Sequence, residues 1–176
     1  MMAIRREIDR DREASLEVER LAFSSGRDGG PADDIVTAIR AIREEPDSFA
    51  LVAELDGEIV GHAQFSRAWV GESSVALLGP IGVHPDHQRR GVGSRLVRAG
   101  LHEAGVRGEP AVILLGDPAY YGRFGFVAAS TFGLRNPAAG GPRTNGLVIL
   151  EEHFQIAPLD DRARSLAGTV RWHEAL

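Results

Sequence analysis

A chain of 176 residues has room for one ordinary domain with its own core and little more. Its 43% hydrophobic and 26% charged residues describe a globular protein and exclude a disordered or membrane-spanning one; no apolar run nears the roughly 20 residues that cross a bilayer, and MMAIRREIDRD at the start lacks the apolar core of a signal peptide, so a cytoplasmic location is expected. The formal charge of −5 leaves no electrostatic footprint for nucleic acid, the absence of cysteine excludes disulfides and a Cys nucleophile, and the absence of lysine excludes Schiff-base chemistry.

In chain order, residues 3–8 form a short first strand, and 11–23 carry Leu16, Val18, Leu21 and Ala22 at spacings that suit a helix. A Gly-rich break at 24–30 precedes Pro31. Ile35, Ile39 and Ile42 then recur at helical spacing until Pro46-Asp47. Strands 49–55 and 58–65 flank Asp56-Gly57, a pair that favours a type I′ hairpin turn. Residues 75–83 form the next strand, 91–104 a helix with Leu96, Val97, Gly100, Leu101 and Ala104 along one face, and 111–115 an apolar strand of the buried type. A short helix or turn at 119–123 leads to strands at 126–132 and 147–150, separated by a Gly/Pro-rich loop at 136–146. A last strand is expected at 169–172. There is no internal repeat. This order of elements implies one α/β domain over 1–176, with a mixed sheet covered by helices.

The most informative stretch is HPDHQRRGVGSRLV, residues 84–97. A helix N-terminus leaves its first main-chain N–H groups unpaired and carries about half a positive charge. Gly91 and Gly93 remove side chains that would hold an anion away, Arg89 and Arg90 add charge, and Gln88 and Ser94 add hydrogen-bonding groups. This is an anion cradle whose length suits a pyrophosphate. A P-loop would need lysine, and a dinucleotide fingerprint would need glycine where Leu96 stands. Upstream, LLGPIGV (residues 77–83) is a strand interrupted by Gly79, Pro80 and Gly82. Proline donates nothing to a ladder and glycine marks a bulge or a close approach. Such a strand splays from its neighbour and offers the main-chain groups of Ile81 and Val83 to an extended, amide-bearing arm.

Pantetheine joined to a pyrophosphate is such a ligand. VHPDHQRRGVG resembles the acyl-CoA signature of the GNAT superfamily of N-acetyltransferases, Val-x-Pro-x-x-Gln/Arg-x-x-Gly-x-Gly/Ala. YYGRFGF, residues 120–126, resembles the same family's aromatic-Tyr-x-x-x-Gly-Phe segment. The resemblance implies a central mixed sheet splayed between strands 4 and 5. It implies that Ile81 and Val83 meet pantetheine, and that Gln88, Arg89, Arg90, Gly91, Val92, Gly93 and Ser94 wrap the pyrophosphate. Tyr121 falls at the tyrosine whose hydroxyl acts as general acid toward the departing thiolate. Acetyl-CoA is the implied acyl donor, used without a metal, and a primary amine of a small molecule or peptide is the acceptor. Attack is direct, since no Cys can form an acyl-enzyme. No nucleic acid or membrane partner is expected, and the protein is a monomer or homodimer.

The sequence departs from the family at two points. Pro80 stands where many members carry a glutamate base, and Asp117-Pro118 stands where an Asn often precedes the tyrosine helix. His62, Glu54, Glu72 and a water relay remain open as ways to take the proton. Because the base is missing, a non-catalytic acyl-CoA binding or sensing domain is the alternative reading. His84 and His87 are read as a solvated loop pair and not as metal ligands. Loops 24–30 and 136–146 are expected to line the acceptor side.

Overall fold

The structure is a computed structural model that describes residues 1–24, 32–136 and 151–172. The expected loops at 24–30 and 136–146 lie largely outside the described residues, and the strand at 147–150 wholly so. The elements in order are β1 (Met2–Arg6), α1 (Arg12–Ser24), α2 (Ala32–Arg43), β2 (Phe49–Leu55), β3 (Glu58–Val70), β4 (Ser73–Val83) and α3 (Val92–Val106). There follow β5 (Ala111–Leu115), α4 (Pro118–Tyr121), β6 (Val127–Ala128), β7 (Leu134–Arg135), β8 (Phe154–Pro158) and β9 (Gly168–Arg171). They divide between two compact units, one of residues 1–66 and 79–100, the other of 67–78 and 101–172; β3, β4 and α3 run through both.

In the first unit β1, β2, β3 and β4 are neighbours in that order, and β1–β2 and β2–β3 are antiparallel. The β2–β3 turn has the expected form: Asp56 and Gly57 both take left-handed backbone, φ 50° and 93°, as a type I′ turn requires. Alternation along β3 sends odd positions to one face and even positions to the other. On the odd face α3 packs closely: a Cβ on Gly61 would lie 2.8 Å from Val92 Cγ1, and one on Gly100 would lie 2.1 Å from Phe65 Cζ. Phe65 in turn stacks on Phe49, with ring centroids 4.5 Å apart. The even face of β3 carries His62, Gln64 and Ser66, all buried. Helices α1 and α2 meet through Leu16, Val36 and Ile39.

In the second unit the order is β4-β5-β8-β6, with β4–β5 parallel at Ala76↔Val112 and Leu77↔Ile113, and β5–β8 and β6–β8 antiparallel. The sheet is therefore mixed, as expected. Its core gathers Val75, Leu77, Ile113, Phe154, Ile156 and Val170.

Two sequence expectations need correction. Residues 126–132 are not one strand: only Val127–Ala128 pair, and Ala129–Phe132 form a 3₁₀ turn. Thr131 Oγ1 donates to the Ala128 carbonyl at 2.6 Å, and Gly133 (φ 72°) closes the turn, so a local side-chain bond displaces the ladder. The strand Phe154–Pro158 has no counterpart in the sequence reading, although it pairs five residues with β5.

Candidate functional site

All of the predicted cradle lies in the first unit. Ile81 and Val83 are half-buried at the end of β4, and a 3₁₀ turn at Pro85–His87 leads to the arginines. His84 holds that turn: its Nδ1 accepts from the Asp86 main-chain N–H at 3.3 Å, and its ring meets that of His87 edge-on. Gln88 Nε2 donates to the Val83 carbonyl at 3.1 Å, so this side chain closes the strand end over the cradle turn. Among the described residues no three His, Cys, Asp or Glu side chains gather as a metal-holding group.

The backbone at the arginines is unusual. Arg89 takes φ 58°, a left-handed conformation rare for a residue with a side chain, and Gly91 takes φ 82°; Arg90 between them does not share it. Alternating handedness of this kind turns successive N–H groups toward one side as an anion-binding nest. The first helical hydrogen bond of α3 runs from Arg95 N–H to the Gly91 carbonyl. The N–H groups of Val92, Gly93 and Ser94 are thus left for another acceptor. Val92 itself is 1% exposed and anchors α3 on β3, so only its main chain can serve a ligand. A Cβ on Gly91 would meet nothing within 4 Å, so space in front of the nest is open and the glycine is required by its φ. Arg89 and Arg90 are exposed beside it.

Tyr121 lies in the second unit, at the end of α4. Asp117 caps this helix, accepting from the Ala119 N–H at 2.8 Å, and Pro118 occupies its first turn. The acid at 117 therefore has a structural task. Tyr121 is half-buried; its ring packs against Gly116, where a Cβ would come within 2.3 Å of Cε2, and meets Phe126 edge-on. Arg123 lies 4.2 Å over the Tyr120 ring and donates to the Tyr120 carbonyl, and the Tyr120 ring meets that of Tyr121 edge-on. Asp117, Phe126, Glu152 and His153 line a cavity of about 420 Å³.

The candidate bases separate clearly. Glu72 is exposed in the turn that enters β4, at the strand end opposite Val83. Glu54 is tied to Arg5, whose Nε donates to it at 2.8 Å while the same guanidinium holds Asp11 bidentately at 2.6 and 3.0 Å. His62 is wholly buried, its Nδ1 2.7 Å from Glu19 Oε1. Glu19 escaped the sequence reading, yet it stands three residues after Leu16 and three before Ala22, inside the apolar stripe of α1. That position was the available signal.

A sequence model of the acetyltransferase (GNAT) family matches residues 14–126. The uncharacterized N-acetyltransferase YjhQ of Escherichia coli is 35% identical over 62% of this chain, a match that spans 61% of that relative. The crystal structure of the GNAT family N-acetyltransferase YhbS from Escherichia coli in complex with CoA superposes with a TM-score of 0.80. It is 30% identical, over 99% of this chain and 91% of that one. A GNAT family acetyltransferase from Brucella melitensis, in complex with acetyl-CoA, gives 0.75 at 30% identity, over 99% and 97%. The chain belongs to the GNAT family of acetyltransferases.

Proposed function

We propose that the protein moves the acetyl group of acetyl-CoA to a primary amine by direct attack within a ternary complex. The observation that carries this is the nest: left-handed backbone at 89 and 91, opening onto the free N–H groups at the start of α3. In this reading the diphosphate sits against residues 88–94, and Arg89 and Arg90 add charge from outside. The pantetheine arm runs along β4 and pairs with the main chain of Ile81 and Val83. The amine nitrogen attacks the thioester carbonyl, the C–N bond forms, the C–S bond breaks, and the Tyr121 hydroxyl delivers a proton to the leaving thiolate. The CoA and acetyl-CoA complexes of the two similar structures support the donor. Asp117 and Glu152, beside the cavity near Tyr121, suit a cationic acceptor.

Pro80 in place of the family's usual glutamate favours one other reading, an acyl-CoA binder without turnover. Calorimetry with acetyl-CoA tests the cradle, which predicts saturable binding that dephospho-CoA and CoA share. Thiol release in the presence of spermidine, kanamycin and an alanyl tripeptide tests turnover. Binding without release from a wide amine panel would favour the binder, and absence of binding would defeat both readings.

A further inference from the structure

The even face of β3 places His62, Gln64 and Ser66 in a row, and α1 places Ser15 and Glu19 one turn apart on the face that meets it. All five are at most 3% exposed. Ser15 Oγ, Glu19 Oε2, His62 Nε2, Gln64 Oε1 and Ser66 Oγ make no hydrogen bond among the described residues. Five such atoms on facing elements of one unit call for an account, because a buried polar atom left unpaired costs about 1–3 kcal/mol. It marks a polar seam through an otherwise apolar layer.

The geometry at its centre is that of a working base. A carboxylate on Nδ1 fixes the imidazole tautomer and leaves Nε2 with its lone pair to accept a proton, which is how a triad carboxylate and histidine divide the task. Here Glu19 Oε1 holds Nδ1 at 2.7 Å and Nε2 is unpaired. Glu7 Oε1 lies 3.7 Å from Nε2, and Arg43 of α2 donates to that same oxygen at 2.6 Å. When Glu19 is the carboxylate, the set Glu7, Glu19, Arg43 and neutral His62 sums to −1, and protonation of His62 brings it to zero. Accepting one proton therefore relieves a buried net charge. Arg12 and Glu13 of α1 add opposed fields at Arg43. Burial pushes the Glu19 carboxyl up from its ordinary range; its His62 partner and the Gly82 N–H beside it oppose this.

The pair is also placed against the strand that matters. A Cβ on Gly82 would lie 2.5 Å from Glu19 Oε2, so the carboxylate packs directly on β4 between Ile81 and Val83. We propose that the Glu19–His62 pair receives, by way of this polar seam, the proton that the acceptor amine loses, in place of the glutamate absent at position 80. The inference rests on the acetyl-transfer reading above. The balance is complete: nitrogen loses a proton to His62 Nε2, the thiolate gains one from Tyr121, and the imidazolium and the tyrosinate are reset through solvent. Glu19 does not touch substrate. It positions His62 and stabilises its charged form.

The test is made on the whole chain labelled with [¹⁵N]histidine, free and with acetyl-CoA, His62 being assigned by the signal lost in His62→Gln. The ring should be the neutral Nδ1–H tautomer, donating to Glu19 and leaving Nε2 bare. A ring in the Nε2–H tautomer, whose Nε2 has no lone pair to take a proton, overturns the proposal without any mutation. Glu19→Gln should lower kcat of thiol release with the amines named above about 100-fold and displace the acid limb of its pH profile. KM and calorimetric Kd for acetyl-CoA should hold. Wild-type kcat and pH profile in a folded Glu19→Gln protein would also overturn it. Failure of the wild-type protein to bind acetyl-CoA is a separate outcome: it defeats the functional reading, and the tautomer still judges the pair.

Discussion

Gly82→Ala is the sharpest perturbation of the β4 wall. Nothing in the backbone forbids it, since Gly82 is not in the left-handed region, so any cost must come from contact. The new methyl would stand 2.5 Å from Glu19 Oε2, 2.9 Å from Glu19 Cδ and 3.2 Å from Ala22 Cβ. Glu19 is fully buried and bound to His62, so it cannot swing to solvent as a surface glutamate would. Overpacking of this kind costs about 1–3 kcal/mol. For a protein of this size that is a loss of about 2–12 °C in Tm, read by calorimetry or circular dichroism. Glu19→Asp withdraws the carboxylate by one methylene, so the double variant should lose less than the sum of the single losses, with a coupling above about 0.5 kcal/mol. Gly105→Ala in α3 is the control: a Cβ there meets nothing within 4 Å, and it should gain about 0.4–1 kcal/mol. If Gly82→Ala melts with the wild type, or the two substitutions add, the carboxylate does not pack on β4 as described.

Arg89→Ala and Arg90→Ala should each weaken acetyl-CoA in calorimetry, and the loss should shrink as salt screens the phosphates; wild-type affinity of the double variant at low salt would remove both from the cradle. Tyr121→Phe should lower kcat and kcat/KM together by about 10- to 1,000-fold with KM little changed, while Tyr120→Phe, held under Arg123, should be mild. Gly116→Ala should act at one remove, because its methyl displaces the Tyr121 ring: thiol release should fall about 100-fold while acetyl-CoA affinity is kept. Acid unfolding should separate two carboxyls of opposite sign. The Arg5 guanidinium holds Asp11 below its ordinary 3.8, so the stability it contributes is present above that value and is lost as pH falls through the lower folded one. Burial raises Glu19 above its ordinary 4.5, so its contribution is full below that value and is lost as pH rises. Asp11→Asn should cost about 1–3 kcal/mol near neutrality and flatten the acid limb, and Glu19→Gln should flatten the loss on the alkaline side of 4.5.

What could be read from the residues follows from how local each cause is. Asp56-Gly57 names its own turn, and Ile39 and Ile42 name the buried face of α2, because one or two neighbouring side chains decide each conformation. The turn ahead of α3 stood out for the same reason: Arg89, Arg90 and Gly91 are consecutive, and the alternating handedness there is a property of consecutive dihedrals. The Phe154–Pro158 strand escaped because its cause is remote, five pairings with β5 some forty residues earlier in the chain. The short strand at 127–128 was overdrawn for the opposite reason, a hydroxyl three residues along that caps the local carbonyl.

The missing base is the case where local reasoning had to fail. His62 carries no mark in the sequence that separates it from Glu54 or Glu72, and His62 and Glu19 are 43 residues apart. Once folded, the three candidates differ in ways that chemistry can use. Glu54 is neutralised by Arg5, and Glu72 faces solvent at the far end of its strand. Only His62 combines a tautomer held by a buried carboxylate with an unpaired nitrogen and a charge count that improves on protonation. The same comparison explains why Pro80 need not mark a loss of activity. A proton acceptor supplied by α1 and β3 and packed against β4 at Gly82 would do the work of a side chain on β4 itself. If the His62 ring proves to carry its proton on Nε2, the pair cannot act as the base, and Pro80 again points to a binder without turnover.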